Sequence, residues 1–137
     1  MAGYSGTPLV QKLGIKEGAA VLLVSPPEGF LKTLGPLPTD AEIVPPRSRE
    51  SLDVTLLFVL SQKKLEQEFA RQAARLKPAG GLWICWPKKV SGVKTDLTED
   101  LIRDVGLAAG LVDNKVCAVD ETWSGLRFVI RLADRKK

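Results

Sequence analysis

The sequence predicts an α/β domain: a three-layer, mostly parallel sheet that ends in an antiparallel hairpin. Three observations predict it. Continuous apolar runs at 20–24, 53–60 and 82–86 read as strands buried on both faces. Stretches with apolar residues at helical spacing lie between and after them. The last strand, 126–132, alternates instead: Leu126, Phe128, Ile130 and Leu132 fall on one side, Arg127 and Arg131 on the other. That is the pattern of an antiparallel strand with one wet face.

The elements follow in order. Thr7-Pro8 reads as an N-cap followed by proline in the first helical turn. Leu9, Val10 and Leu13 give that short helix an apolar face, and Gly14 ends it, so that Ile15 packs back. Lys16-Glu17-Gly18 is a turn into the first strand, 20–24, which Ser25-Pro26-Pro27-Glu28-Gly29 breaks. Phe30 to Leu34 reads as a short helix stopped by Gly35-Pro36, and Glu42-Ile43-Val44 as a short strand ended by Pro45-Pro46. The strongest central strand is Asp53 to Leu60. Ser61 then caps a helix, Gln62 to Lys77, whose Leu65, Phe69, Ala73 and Leu76 share a face. Pro78 and Gly80-Gly81 end it, and a buried strand, 82–86, closes on Pro87. Asp96-Leu97-Thr98-Glu99 has the spacing of a capping box. The helix it opens carries Leu101, Ile102, Val105, Ala108 and Ala109 on its core face and stops at Gly110. Gly106 inside it costs about 1 kcal/mol against alanine, which close packing on the sheet would explain. Strands near 115–119 and 126–132 are joined by a loop, 120–125.

A chain of 137 residues buries one sizeable core and needs neither metal nor disulfide to hold it. It reads as a single domain, 1–137, with an N-terminal helical arm, 1–18, and a basic tail, 133–137. The net charge of +4, from 20 basic and 16 acidic residues, is too mild to argue for nucleic acid. No apolar run approaches the roughly 18–20 residues of a membrane span. The opening residues lack a basic stretch followed by an apolar core, so the expected location is cytoplasmic. There is no histidine, which removes Ser-His and Cys-His nucleophile pairs. Cys85 and Cys117 lie in apolar runs and read as small buried hydrophobes, so no metal site is expected.

The order of elements looks like the class I S-adenosylmethionine (SAM)-dependent methyltransferase fold, a trimmed Rossmann-type sheet. The echoes are Leu13-Gly14-Ile15-Lys16-Glu17-Gly18 before the first strand, Leu76-Lys77-Pro78-Ala79-Gly80-Gly81 before a later one, and the closing hairpin after Leu107-Ala108-Ala109-Gly110-Leu111. The chain is also similar to a bacterial family of small proteins known as a domain of unknown function. The matching stretches are Gly3-Tyr4-Ser5-Gly6-Thr7-Pro8-Leu9, Trp86-Pro87-Lys88-Lys89, Thr95-Asp96-Leu97-Thr98-Glu99-Asp100 and the segment from Val116 to Leu126. That similarity implies no particular activity. The methyltransferase resemblance implies an acidic residue and spaced glycines after the first strand, and a carboxylate at the end of the second to hold ribose hydroxyls. Here the first loop holds two prolines, which remove two N–H donors, and Pro45-Pro46 stands where the carboxylate belongs. Only about eight residues join the second strand to the central one, too few for another helix-strand-helix. A strand and two helices of the full fold are therefore expected to be missing, and SAM bound in the usual manner is not expected.

Ligands of open α/β sheets bind outside the carboxyl ends of the strands. That rule gathers Ser25, Glu28, Gly29, Ser61, Trp86, Lys88 and Lys89 as candidate ligand-binding residues. Lys88, Lys89 and Lys94 ahead of a helix would receive a small anion, Trp86 would offer an apolar wall, and Glu28-Gly29 would stand in for the lost glycine loop. Trp123 is the candidate for interaction with a partner. Asp120 and Glu121 read as a solvated pair, Arg47-Ser48-Arg49 as surface, and Tyr4 as packing of the arm. No catalytic residue is assigned. The expected function is a non-catalytic module of methyltransferase-like fold that binds a small anionic ligand or another protein. The alternatives are a divergent SAM-dependent methyltransferase and an assembly protein that forms a homodimer.

Overall fold

The structure, a computed structural model, describes residues 7–135. The expectations placed on Tyr4, on the rest of the opening segment and on the last two lysines lie outside them. The described elements are α1 (Leu9–Lys12), β1 (Ala20–Val24), α2 (Phe30–Leu34), β2 (Glu42–Ile43), β3 (Leu52–Phe58), α3 (Gln62–Ala73), β4 (Leu76–Pro87), α4 (Glu99–Ala108), β5 (Leu111–Ala118) and β6 (Trp123–Ile130), with single 3-10 turns at Lys89–Ser91 and Leu132–Asp134.

One six-stranded sheet runs β2-β1-β3-β4-β6-β5. The first four strands are parallel, and β6 pairs antiparallel with both β4 and β5. The three-layer, mostly parallel architecture with its terminal antiparallel hairpin is thus as expected. The segment from β2 to β3 crosses beside β1 with no strand or helix of its own. Winding reverses between β1 and β3, which makes their carboxyl ends the switch point of the sheet.

Burial follows the pleat. Val21, Leu23, Val54, Leu56, Phe58, Trp83 and Cys85 face α1 and α2, where Leu13, Ile15, Phe30 and Leu34 cover them. The indole N–H of Trp83 donates to the carbonyl of Leu13 at 3.0 Å and ties the end of α1 to the sheet. On the other face Leu57, Leu82, Ile84, Trp86, Leu126 and Phe128 meet Leu65 and Phe69 of α3 and Ile102 of α4. Among the described residues no helix is long and apolar enough to cross a membrane.

Several boundaries differ from the sequence reading; β3, expected over Asp53 to Leu60, runs Leu52–Phe58. Helix α3 ends at Ala73, not Lys77. Arg75 accepts the N–H of Leu52 at 2.8 Å and its guanidinium holds the carbonyls of Pro46 and Ser48, so the chain has already joined the sheet. Strand β4 accordingly starts at Leu76, opposite Leu52, loops out, and resumes at Gly81 opposite Val54. Gly80 permits that return, because a Cβ there would lie 2.7 Å from the carbonyl oxygen of Leu52. Asp96 does not open a capping box for α4. Thr98 is the N-cap, accepting the N–H of Leu101 at 3.1 Å. Ala108 and Ala109, placed on the core face by periodicity, are exposed, while Gly106 is buried. Finally β5 starts at Leu111, since Gly110 at φ 93° turns the chain from α4 straight into the strand, and β6 starts at Trp123, after the turn that the Asp120 side chain closes.

Candidate functional site

The carboxyl ends of β3 and β4 and the loop that follows β4 frame an open cavity of about 870 Å³. Its construction starts from loop residues that cap helices. The side chain of Ser61 caps α3 by accepting the N–H of Lys64 at 3.2 Å. Asp96, from the loop before α4, accepts the N–H of Gln62 at 2.9 Å, so its carboxylate lies at the positive end of α3, where a negative charge is favoured. Next to it Thr95 donates its hydroxyl to the carbonyl of Leu60 at 2.7 Å and accepts the N–H of Leu97 at 3.1 Å. These bonds staple the loop to the end of β3. The staple leaves Leu60, Trp86, Pro87, Val93 and Leu97 as apolar walls, with the exposed Lys89 and Lys94 along the lining.

The sequence-predicted residues divide between this cavity and its neighbourhood. Ser61, Trp86 and Lys89 line it together. Ser25, Glu28, Gly29 and Lys88 are not among its lining residues. Lys88 instead anchors the 3-10 turn: its N–H donates to Thr122 at 2.7 Å and its carbonyl accepts the hydroxyl of Ser91 at 2.6 Å. Ser25, Glu28 and Gly29 form the exposed loop after β1. Ser25 sits at φ 55°, a left-handed conformation uncommon outside glycine, and Gly29 at φ 79° starts α2. Phe30 N–H closes a turn onto the carbonyl of Pro27 at 3.1 Å.

Trp123 is half-buried and belongs to a strand, not a loop. Its ring stands edge-on to Phe58 at 5.1 Å, and Phe58 stands edge-on to Phe30 at 4.9 Å. Asp120 closes the turn before it, accepting the N–H groups of Thr122 and Trp123, each at 2.8 Å. Burial pushes the Cys85 thiol well above its ordinary range and raises Cys117 as well, so both stay protonated near neutrality.

From the sequence, Leu60 reads as the end of a strand, Asp96 and Leu97 as a capping box and Thr95 as part of a similarity to a family, none of them as a site residue. The one legible signal was Leu97, an apolar residue alone in a polar stretch. Pro26 and Pro27 remove backbone donors beside β1, and the end of β2 offers Pro45 and Pro46 in place of a carboxylate.

No family model matches the chain, and no curated protein matches it in sequence. Solved structures do match in fold. A SAM-dependent methyltransferase from Aquifex aeolicus superposes with a TM-score of 0.60 at 16% identity, over 88% of this chain and 86% of that one. Fibrillarin from Aeropyrum pernix, with natively bound SAM, gives 0.56 at 16% identity, over 93% and 70%. Magnesium protoporphyrin IX methyltransferase from Synechocystis, with bound S-adenosylhomocysteine, gives 0.54 at 9% identity, over 89% and 78%. At these identities the likeness establishes a methyltransferase-like fold and nothing finer.

Proposed function

We propose that the chain is a small-molecule-binding domain of methyltransferase-like fold whose ligand lies at the carboxyl ends of β3 and β4. The observation that carries this reading is the stapled cavity: apolar walls at Leu60, Trp86, Val93 and Leu97, with Lys89 and Lys94 beside them. Such a lining takes an apolar body and one anionic group. The α3 N-terminus does not serve as the anion receptor, because Asp96 already occupies it. The reading claims binding alone: the lining holds one carboxylate, Asp96, whose Oδ1 accepts the N–H of Gln62. Calorimetry with an aromatic carboxylate such as 2-naphthoate and its neutral analogue 2-naphthol tests the idea. The carboxylate should bind in one-site fashion, and K89Q/K94Q should weaken it more than the neutral analogue. No heat from either ligand at millimolar concentration would remove the reading.

The second reading is a divergent SAM-dependent methyltransferase. It is favoured by the SAM and S-adenosylhomocysteine held by structures of the same fold. It predicts saturable SAM binding that falls on Glu28→Ala, and it fails if SAM gives no heat in the same calorimeter.

A further inference from the structure

A second cavity, of about 580 Å³, lies at the opposite end of the sheet, beside the turn from Gly14 to Gly18 and the amino ends of β1 and β3. Its lining is rich in cations. Asp53, one of its two carboxylates, is committed: its Oδ2 accepts Lys77 Nζ at 3.0 Å and the N–H of Ala20 at 2.8 Å. That leaves Glu17 as the remaining carboxylate of the lining, against Lys12, Lys16, Lys115 and Arg127.

Arg127 is built into this place. It projects from β6, half-buried, and its guanidinium lies over Gly81, where a Cβ would come within 2.8 Å of its Cζ. Its hydrogen bond goes to a neutral amide, Asn114 Oδ1 at 3.4 Å. Lys115 stands directly opposite it on β5, across the bulge at Asn114, and its Nζ donates one hydrogen bond to the carbonyl of Lys12 at 3.0 Å, which leaves two N–H groups for a ligand. Burial, with Arg135 nearby, pushes the guanidinium below its usual pKa. Like charges facing each other across strands destabilise a sheet, and a half-buried cation with no carboxylate partner among the described residues adds to that cost. A bound anion would offset both.

We propose that this cavity is a binding site for a compact oligophosphate, with Arg127 and Lys115 as its central ligands and Lys16 beside them. The guanidinium fork matches two phosphate oxygens at once, and the cavity is roomier than a single phosphate needs. The site lies at the other end of the strands from the cavity of the proposed function, so either can fail alone.

The test is calorimetry on the full chain at low ionic strength with orthophosphate, pyrophosphate, tripolyphosphate and a single-stranded oligonucleotide. Pyrophosphate and tripolyphosphate should bind at one site, more tightly than orthophosphate. Arg127→Met, which keeps an apolar stem over Gly81, and Lys115→Gln should each weaken them about tenfold or more, while K89Q/K94Q leaves them unchanged. Circular dichroism checks folding, and Lys115→Gln alone decides the matter if Arg127→Met does not fold. No saturable heat with millimolar tripolyphosphate, equal affinity in Lys115→Gln, or tighter binding of the oligonucleotide would each overturn the proposal.

Discussion

Phe128 fills the volume that a side chain at Gly106 would need: a Cβ built there would lie 2.6 Å from the ring's Cζ. The ring is fully buried and stands edge-on to Phe69 at 5.2 Å, so it has nowhere to retreat. Alanine gains about 1 kcal/mol of helix propensity over glycine, but overpacking a filled core costs about 1–3 kcal/mol. The overlap is severe enough for the second effect to win. Gly106→Ala should lower the urea midpoint, by a net destabilisation of about 1–2 kcal/mol. A higher midpoint would show that the ring can move.

Thr55 sits in the middle of β3, wholly buried, and its hydroxyl has no hydrogen-bond partner among the described residues. An unpaired buried hydroxyl costs about 1–3 kcal/mol, and valine has nearly the same shape. Thr55→Val is expected to raise stability by about 1 kcal/mol in the same urea titration. A loss of stability would mean that the hydroxyl has a partner.

Asp96 acts on a helix distant in sequence. Asp96→Ala leaves the N–H of Gln62 without its acceptor, at about 1 kcal/mol, the scale of a lost N-cap. The effect should appear as faster amide exchange in the first turn of α3, with α4, capped by Thr98, protected as before. Equal exchange in both helices would contradict this division.

Glu68 is buried on α3, and Gln72 Nε2, bonded to its Oε1 at 3.2 Å, does most to hold its pKa below the ordinary 4.5. Burial opposes this, and Arg71 and Lys64 add to it. A carboxyl whose folded pKa is depressed stabilises the protein above its unfolded value. That contribution fades as the pH falls through the lower, folded value. Stability should therefore decline on acidification, and Glu68→Gln should remove a share of that decline. Equal acid dependence in the variant would assign the decline to other carboxylates.

The strands at 20–24, 53–60 and 82–86 were legible because burial on both faces leaves an uninterrupted apolar run. So was the Ser61 cap, which acts within its own helix. What escaped depends on partners far along the chain. Asp96 could not be read as the cap of α3 from local spacing, since Gln62 lies 34 residues away. Leu76 looked helical by periodicity until Leu52 claimed it for the sheet. The candidate cavity was half legible. Trp86 and Lys89 follow from the strand-end rule, whereas Leu60 and Thr95 meet only through the staple, and Arg127 read as the wet face of its strand.

The strand order has a consequence for biosynthesis. β6 is the latest of the described strands, yet it lies inside the sheet, between β4 and β5. Until the ribosome has released residues through Ile130, β4 lacks a neighbour on that side, and Phe128 is not there to meet Phe69. A nascent chain stalled before that point would present bare apolar faces to chaperones, and the arrival of β6 would decide whether the sheet closes.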